Sequence, residues 1–332
     1  MMNIMVTGAS GFVGTHLCAT LLKKKHHVTG VGTSKKHILQ DSDRFEWISA
    51  DTTLEGEWQD KVRTSDVIIN LTGKNIFGYW TQKYKEQIYR SRVLTTENIV
   101  AAMPKINDTA IESGKSDPSL SDGMMSSMSG VAGSLKSGYR KPVLLNTSAI
   151  GYYGDRGEDK LTETDRSGND FLAKVCMDWE NEAFKAEEKG ARVVVMRFGV
   201  VLGRDGGALK KMVPAFKFFA GGPLGKGIHW FPWIHIDDLL NAVLMLIENK
   251  NISGAVNFVS PGAIRHREFA SELGHALNRP SLMPAPAFMI KTVMGELGEA
   301  FLSSQKAIPD VLNKSGFSFK FPDLRSALED IL

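Results

Sequence analysis

Short apolar runs alternate with amphipathic segments along the first part of the chain. Strands are predicted at NIMVTG, HVTGVGT, FEWISAD and DVIINLTG, and helices at FVGTHLCATLLKKK and YKEQIYRSRVLTTENIVAAM. Two further strands, PVLLNTS and ARVVVMRFGVVLG, flank the amphipathic helix DFLAKVCMDWENEA. Buried strands that alternate with helices form a parallel sheet covered on both faces. The pattern therefore predicts an α/β fold with a Rossmann-type doubly wound parallel sheet, whose ligands bind at the carboxyl ends of the strands.

The alternation of strands and helices is interrupted twice. Residues 105–141 are rich in Ser and Gly and have no apolar periodicity, which favours a flexible surface insertion over a partner-binding loop. Beyond residue 203, Gly and Pro become frequent between short mixed segments. We predict an NADP-binding Rossmann domain over residues 1–200 and a smaller C-terminal substrate-binding lobe over residues 201–332. Residues 229–260 hold a strongly apolar helix and are expected to return to the Rossmann domain.

Composition describes a soluble globular protein of 332 residues, 42% of them hydrophobic and 23% charged. The 40 basic and 37 acidic residues are interspersed, so the formal charge of +3 favours neither nucleic acid nor a membrane surface as a partner. Cys18 and Cys176 supply no disulfide framework and no metal spacing. No apolar run approaches the roughly 20 residues that span a bilayer. We expect a cytoplasmic protein that has no metal site and binds a small molecule.

A glycine-rich segment, VTGASGFVG, lies between the first strand and the first helix. Gly8, Gly11 and Gly14 follow one another at intervals of three. In dinucleotide-binding loops such glycines permit a tight turn, bring the backbone to a pyrophosphate and let the helix pack on the strand. The helix N-terminus adds free N–H groups and a positive dipole. The cofactor-binding residues predicted here are Gly8, Ser10, Gly11, Phe12, Val13 and Gly14.

The end of the second strand indicates which dinucleotide is bound. An NAD site offers a carboxylate to the ribose there, whereas this chain has Thr33, Ser34 and Lys35. A 2′-phosphate would accept charge-assisted hydrogen bonds from them, each contributing about 1.5–3 kcal/mol. We therefore predict NADP(H) rather than NAD(H), the alternative being that the lysine is only solvated. Further cofactor contacts are predicted after the later strands, at Asp51, Leu71, Thr72, Gly73, Arg90 and Thr147.

Several longer motifs carry a family likeness. They are TGASGFVG, WTQKYKEQIYRSRVLTT, SAIGYYGDRGEDKLTE, DFLAKVCMDWENEA, MRFGVVLGRDGGALKKM, WIHIDDL and GELGEAFLSSQKAIPDVLNKSGFSFKFP. With them the chain resembles the extended short-chain dehydrogenase/reductase superfamily, and within it the atypical subgroup of epimerase family proteins grouped with nucleoside-diphosphate-sugar epimerases. The segment 105–141 departs from the short connection usual in that subgroup. The resemblance implies acid/base chemistry by a Ser or Thr, a Tyr, and a Lys four residues after the Tyr, and makes a homodimer a candidate assembly.

The Tyr and Lys are missing at the position where the resemblance places them. If the glutamate of the superfamily's Tyr-x-x-x-Lys-x-x-x-Glu pattern is matched to Glu180, the other two positions fall on Leu172 and Cys176. Neither side chain can replace the pair. The one literal Tyr-x-x-x-Lys, Tyr79 to Lys83, follows the fourth strand rather than the fifth, so we interpret it as coincidental.

The neighbouring segment NTSAIGYYGDRG offers replacement catalytic candidates, Ser148 and Tyr153. A gapless alignment would instead place Ala149 at the serine position, and Tyr153 has the alternative role of shaping the pocket. Substrate contacts are predicted for Trp80, Tyr152, Arg197 and Trp230, with core packing as the alternative for the second tryptophan.

Two functions follow from these features. The first is an NADP(H)-dependent oxidoreductase or nucleotide-sugar epimerase-like enzyme that acts without the usual pair, on a small carbonyl, an alcohol or an anionic nucleotide sugar. The second is a catalytically silent NADP(H)-binding regulator or scaffold.

Overall fold

A seven-stranded sheet, in which all neighbouring strands are parallel, forms the centre of the fold. The computed structural model describes residues 1–39, 42–105, 141–204 and 206–332. Within these ranges the strands are β1 (Asn3–Thr7), β2 (His27–Gly32), β3 (Phe45–Ser49), β4 (Val67–Asn70), β5 (Val143–Ala149), β6 (Lys160–Leu161), β7 (Arg192–Phe198), β8 (Val200–Leu202), β9 (Trp230–Phe231), β10 (Trp233–His235), β11 (Gly254–Phe258), β12 (Ile264–Arg265) and β13 (Lys306–Ala307). The sheet has the order β3-β2-β1-β4-β5-β7-β11, so the predicted Rossmann-type parallel sheet is confirmed.

Helices cover both faces of this sheet. They are α1 (Phe12–Lys23), α2 (Gln59–Thr64), α3 (Gln82–Ala102), α4 (Phe171–Phe184), α5 (Leu209–Lys217), α6 (Ile236–Glu248), α7 (His266–Ala276), α8 (Ala287–Met294), α9 (Glu296–Leu302), α10 (Asp310–Lys314) and α11 (Leu324–Ile331), with 3₁₀ helices at Ile150–Tyr153 and Lys185–Lys189. The helices expected in the first part of the chain correspond to α1 and α3, and DFLAKVCMDWENEA corresponds to α4.

The apolar strands bury both of their faces because successive side chains point to opposite sides. On β1, Ile4 and Val6 pack in a cluster with residues of α1 and α6, while Met5 packs in a second cluster with residues of α2 and α3. All three side chains are at most 1% exposed. Continuous apolar strands thus select the two-sided helical cover that the sequence pattern predicts.

The order of the strands reverses at β1, which lies between β2 and β4. The loops that follow β1 and β4 leave the same carboxyl edge of the sheet and diverge to opposite sides. Such a switch point opens a crevice for a ligand without any special side chain. The fold alone therefore places the glycine-rich segment at the mouth of a crevice.

The segment ARVVVMRFGVVLG, predicted as one strand, forms two. β7 ends at Phe198 and pairs within the main sheet, whereas β8 begins at Val200 and pairs with β10 in a separate two-stranded sheet. The break lies at Gly199, where a Cβ atom would stand 2.9 Å from the Pro232 carbonyl oxygen. The chain therefore leaves the main sheet at Gly199, because the Pro232 backbone lies too close there to leave room for a side chain.

The C-terminal part of the chain has an apolar cluster of its own. It joins Leu209 and Phe216 of α5 to Phe269 of α7 and Leu328 of α11. β11, by contrast, lies in the main sheet beside β7. The division at residues 200 and 201 stays a prediction, and residues 106–140 of the Ser- and Gly-rich segment lie outside the described residues.

Candidate cofactor and substrate site

The glycine-rich segment forms a turn in which the backbone passes very close to its neighbours. Gly8 has φ +67°, and a Cβ on it would lie 2.7 Å from the Leu71 carbonyl. A Cβ on Gly14 would lie 2.4 Å from the Gly8 carbonyl oxygen and 2.7 Å from the Ala9 Cα. Gly11 precedes α1 without a side-chain cap, so the first N–H groups of the helix remain available to a ligand. Only glycine fits at positions 8 and 14, because a Cβ atom at either position would overlap neighbouring backbone atoms.

A cleft of about 780 Å³ opens at this turn and follows the carboxyl edge of the sheet. Nine of the residues predicted to bind the cofactor line it: Gly8, Ser10, Gly11, Thr33, Asp51, Leu71, Thr72, Gly73 and Arg90. Tertiary structure therefore brings together residues from the loops after β1, β2, β3 and β4 and from α3. Arg90 is paired with Glu86 at 3.4 Å, with both side chains 58% exposed. The Asp51 carboxylate accepts hydrogen bonds from the amide and the hydroxyl of Thr53.

Six predicted cofactor residues do not line the cleft, namely Phe12, Val13, Gly14, Ser34, Lys35 and Thr147. Phe12 and Val13 begin α1, and the Phe12 ring packs beneath the turn after β8, where a Cβ on Gly206 would meet it at 2.0 Å. This contact explains the glycines of GRDGG. Ser34 and Lys35 are exposed beyond Thr33 at the end of β2.

Two aromatic side chains hold the loop after β2, and sequence reasoning did not identify them. His37 is buried, with its Nδ1 accepting from the Leu39 amide and its Nε2 donating to the Ala9 carbonyl, both at 3.1 Å. Its ring stacks on Trp47 at 4.9 Å, and the Trp47 indole donates to the Ser34 carbonyl at 3.0 Å. These bonds fix the loop that carries Thr33 against the glycine turn.

A chain of hydrogen-bonded, buried polar side chains joins the carboxyl ends of β1, β4 and β5. Asn70 of β4 accepts from the Thr7 hydroxyl of β1 at 2.6 Å and donates to Asn146 of β5 at 2.7 Å. It also donates to Thr96 of α3, whose hydroxyl receives the indole N–H of Trp179 on α4 at 2.8 Å. A single polar residue in an otherwise apolar strand is the sequence signal for such a hydrogen-bond network, because a buried polar group needs a partner.

Two hydroxyls at these strand ends are left without a partner. Thr72 follows β4 and Thr147 lies in β5, and neither Oγ1 atom has a hydrogen-bond partner among the described residues, although both atoms are buried. An unpaired buried hydroxyl costs about 1–3 kcal/mol. Thr72 lines the cleft, whereas Thr147 does not, so the fit to a dinucleotide rests on the glycine turn and on the loops after β2, β3 and β4 that line the cleft with it.

The helix that should present Tyr and Lys is present without either. α4 is capped by Asp170, which accepts from the Ala173 amide at 2.9 Å. Leu172 packs against Gly151, and Cys176 is buried. Burial raises the pKa of the Cys176 thiol to about 12, the charge of Glu180 adds to this, and Arg92 opposes it. The thiol is therefore neutral and cannot replace the lysine charge.

A different cation lies close to this position. The Arg92 guanidinium of α3 donates to the carbonyls of Lys74 and Ile88 and stands 5.3 Å from the Trp179 ring of α4. A Cβ on Gly73, which lines the cleft, would lie 3.0 Å from the Arg92 Cζ. Burial lowers the Arg92 pKa, which starts high enough for the guanidinium to stay charged. Sequence reasoning did not select Arg92 because α3 carries several basic residues.

Ser148, predicted to be catalytic, takes part in a buried ion-pair network. Its hydroxyl donates to Glu180 Oε1 at 2.6 Å, and the residue is 1% exposed. Arg197, predicted to contact substrate, donates to both oxygens of the same carboxylate at 2.9 and 2.8 Å. Burial lowers the pKa of Arg197, but the bonds and charge of Glu180 and Tyr153 outweigh it and raise that pKa overall. Both side chains bond to Glu180 inside the core, which argues against free roles for them in chemistry, and the predicted roles stay predictions.

Tyr153 is likewise enclosed, at 0% exposure. Its hydroxyl is 2.8 Å from the Thr162 carbonyl and from Asn257 Oδ1, and it accepts from Arg197 at 2.9 Å. Burial raises its pKa to about 12, although Arg197 opposes the shift. The structure thus argues against the predicted acid/base role and for the alternative, in which Tyr153 shapes its surroundings.

The remaining predicted substrate residues do not line the cleft. Trp80 is 9% exposed, donates to the Ile76 carbonyl at 2.9 Å and packs on Phe171. Tyr152 is half-buried, with the Arg197 guanidinium 3.6 Å above its ring. Trp230 donates to Glu158 at 3.1 Å and is stacked by Arg265 and Lys306. Neither tryptophan lines the cleft or the other large cavity, which favours packing roles for both, and the predicted substrate contacts stay predictions.

A second cavity, of about 610 Å³, adjoins the cleft through the loop after β4. Lys74 and Asn75 of that loop line the cofactor cleft, whereas Phe77, Gly78 and Tyr79 line the second cavity. Its other walls come from α5, α8, α9 and the segments around residues 220–224 and 283–285. We call it the apolar cavity, and sequence reasoning did not anticipate it because its residues are dispersed along the C-terminal lobe.

Two further features concern only the part of the chain that the structure describes. There, no group of three or more His, Cys, Asp or Glu side chains is arranged to hold a metal ion. No helix in the same ranges combines the length and apolar character needed to cross a membrane. The compartment and the homodimer stay predictions.

Comparisons with known proteins cover nearly the whole chain. Residues 4–258 match the NAD dependent epimerase/dehydratase family, and residues 285–331 match a domain of unknown function, DUF1731. The chain is 35% identical over 331 residues to the epimerase family protein SDR39U1 homolog, chloroplastic, of Arabidopsis thaliana, covering 100% of this chain and 87% of that relative. It is 32% identical over 333 residues to the epimerase family protein YfhF of Bacillus subtilis (strain 168), covering 100% and 98%.

Solved structures extend the likeness to three dimensions. The crystal structure of human epimerase family protein SDR39U1 (isoform2) with NADPH has a TM-score of 0.78 and 27% identity, with 99% of each chain covered. The UDP-glucuronic acid 4-epimerase from Bacillus cereus in complex with NAD has a TM-score of 0.71 at 17% identity, covering 99% of this chain and 97% of that one. The second likeness concerns the fold alone.

Proposed function

Because the chain belongs to the NAD dependent epimerase/dehydratase family, we propose that it is an NADP(H)-dependent oxidoreductase that works without the Tyr-x-x-x-Lys pair on a small carbonyl or alcohol. The observation that carries the proposal is the cleft that runs from the glycine turn after β1 to Thr72 and Gly73 after β4. Bound NADPH would supply a hydride to a carbonyl, and bound NADP+ would accept one from an alcohol. The human relative solved with NADPH supports this choice of cofactor.

The preference for NADP(H) follows from the surroundings of the adenosine ribose. Thr33 lines the cleft after β2, with Ser34 and Lys35 exposed beside it. The carboxylate of Asp51 is held by Thr53. A phosphate on the ribose would meet a hydroxyl and an ammonium group at the end of β2, and one charge-assisted bond changes affinity about tenfold or more.

Cofactor titration tests this preference. Purified protein titrated with NADPH and NADH, with cofactor fluorescence as the readout, is expected to bind NADPH at least about tenfold more tightly. Lys35→Glu should remove most of the difference by weakening NADPH alone. Lys24→Glu makes the same charge change at an exposed residue just beyond α1, away from the cleft, and should change neither constant. Equal affinities in the unmodified protein would refute the proposal.

Arg92 is proposed to provide the positive field near the nicotinamide. Its guanidinium lies between Gly73 of the cleft and Trp179 of α4, beside the neutral Cys176. A fixed cation favours the negatively charged form of a group that reacts beside it. In this proposal the charge comes from α3 rather than from a lysine on α4.

The second candidate is a silent NADP(H)-binding regulator, and one observation favours it. Ser148 and Tyr153 are enclosed by Glu180, Arg197 and Asn257, so neither of the two predicted catalytic residues is a free acid or base. The apolar cavity next to the cofactor cleft favours the enzyme instead, because an enzyme needs a second site for its substrate. NADPH oxidation followed at the cofactor's absorbance, with a panel of carbonyl compounds, distinguishes the two. Tight binding of NADPH with no turnover on any compound would support the regulator.

A nucleotide sugar fits these surroundings poorly. Its diphosphate needs several converging cationic donors. Arg197, predicted for that task, already donates to Glu180 from two of its nitrogens and to Tyr153 from the third.

A further inference from the structure

The apolar cavity has the dimensions of a ligand site. Its volume of about 610 Å³ falls inside the range of about 300–1,000 Å³ typical of small-molecule pockets. The loop after β4 connects it to the cofactor cleft, since residues 74–75 line one and residues 77–79 line the other. A molecule bound there would lie next to a cofactor in the cleft.

Its lining is dominated by apolar side chains, notably Phe77, Met212, Phe216, Met294, Leu297 and Phe301. Three of the described lining residues carry hydrogen-bonding side chains, namely Tyr79, Lys211 and His266. The Lys211 ammonium lies 4.9 Å from the Phe77 ring, at one wall. One lysine without an arginine is a weak site for a diphosphate, which binds best to several charge-assisted donors.

His266 is the one buried polar group of this lining, at 2% exposure. Its Nδ1 accepts a hydrogen bond from the Leu224 amide at 3.3 Å, so the ring proton resides on Nε2. No described residue accepts from that Nε2. Burial and the neighbouring His229, 4.9 Å away between ring centroids, lower the His266 pKa to about 3. The ring is neutral at pH 7 and holds one unused donor.

We propose that the apolar cavity binds the substrate, a proposal that rests on the oxidoreductase function above, and that the substrate is an apolar ketone, aldehyde or alcohol rather than a nucleotide sugar. Its apolar body fills the space among the aromatic and methionine side chains. One oxygen accepts the Nε2–H of His266, which gives this buried donor the partner that it lacks among the described residues.

Direct binding tests the ligand class without requiring turnover. The NADPH-loaded protein is titrated with 4-phenyl-2-butanone, n-butylbenzene and UDP-glucose, and binding is measured by ligand-observed NMR. The ketone is expected to bind most tightly, with the hydrocarbon weaker and the nucleotide sugar weakest. Tighter binding of UDP-glucose than of the ketone would overturn the proposal.

Two variants locate the site. Ala215→Trp adds a large side chain at an exposed position on α5 that lines the cavity, and should weaken ketone binding at least about tenfold. Lys217→Trp makes a comparable addition to the same helix at an exposed residue outside the lining, and should change nothing. Unaltered ketone binding in Ala215→Trp would place the ligand elsewhere and overturn the proposal.

His266→Asn tests the donor. Asparagine can keep an acceptor near the Leu224 amide but offers no N–H where Nε2 was. Ketone affinity should fall about 2- to 10-fold, and hydrocarbon affinity should stay unchanged. If the unmodified protein bound the ketone no more tightly than the hydrocarbon, His266 could not be donating a hydrogen bond to the ketone oxygen. Ketone binding that is lost in Ala215→Trp but never leads to NADPH oxidation would refute the oxidoreductase function and leave the ligand class intact.

Discussion

Ser148 of β5 donates a 2.6 Å hydrogen bond to Glu180 of α4, in a part of the core where both residues are at most 3% exposed. The same carboxylate receives two bonds from Arg197 of β7. Glu180 thus joins three elements around the expected catalytic position, β7 through the ion pair with Arg197 and β5 through the hydrogen bond from Ser148. Ser148 and Arg197, which resemble members of a catalytic set, hold β5 and β7 to α4 through their hydrogen bonds to Glu180.

The ion pair should make Glu180 indispensable for stability. Glu180→Ala leaves the Arg197 charge buried without a partner, and removal of one member of a buried pair costs about 3–5 kcal/mol. Urea unfolding should report a loss of this size in the free energy of unfolding. Glu187→Ala, at an exposed residue just after α4, is the control and should lie within about 0.5 kcal/mol of the unmodified protein. A loss below about 1 kcal/mol for Glu180→Ala would contradict the account.

Tyr153→Phe should lower stability rather than cofactor affinity. The change removes a hydroxyl that accepts from Arg197 and lies within hydrogen-bond distance of the Thr162 carbonyl, at an expected cost of about 1–3 kcal/mol. The dissociation constant for NADPH should not move. Tyr152→Phe is the matched control, because Tyr152 is half-buried next door. If Tyr153→Phe abolished turnover with stability intact, the acid/base role would have to be restored.

Gly14→Ala should disrupt the cofactor turn. The new Cβ would approach the Gly8 carbonyl oxygen to 2.4 Å, and the contact is with backbone that cannot rotate away. NADPH affinity is expected to fall by at least about tenfold, because the pyrophosphate contacts depend on this turn. Gly56→Ala meets its nearest neighbour, Trp58, at an ordinary 3.5 Å and serves as the control. Normal NADPH binding by Gly14→Ala would show that the turn can adjust.

Stability should depend on pH through His266. Its folded pKa of about 3 lies below the ordinary value of 6.5, so between these limits the unfolded chain binds more protons than the folded one. The free energy of unfolding therefore rises with pH over this window, by at most about 1.4 kcal/mol per pH unit from this group, and its contribution is constant above pH 6.5. Urea unfolding at pH 5 and pH 7 should show a smaller pH effect in His266→Asn than in the unmodified protein. His275→Asn, at an exposed residue of the same helix, should leave the effect unchanged, and an equal effect in all three proteins would count against the assignment.

Local pattern was sufficient for the elements and for the cofactor turn. Apolar runs predicted the strands, and the spacing of Gly8, Gly11 and Gly14 between a strand and a helix predicted their place at the mouth of a crevice. Both signals are local, since a buried parallel strand must be apolar and a tight turn beside a helix needs glycine. The sequence also showed that α4 lacks the Tyr and Lys, because the positions where the resemblance places them hold Leu172 and Cys176.

The roles of polar residues could not be read this way. Ser148 and Arg197 lie near the carboxyl ends of β5 and β7, and Tyr153 follows β5, which made all three candidates for chemistry. Their partners, Glu180 and Asn257, come from elements far along the chain, and only the folded structure shows that these groups satisfy one another.

The sequence by itself determined the doubly wound sheet, the glycine turn and the loss of the usual pair, because each depends on residues close together in the chain. Tertiary structure decided which side chains face the cleft and which are buried in the core. It also created the apolar cavity, whose walls come from the loop after β4 and from helices more than a hundred residues later. Long-range packing sets burial, and burial decides whether a polar group serves the fold or a ligand.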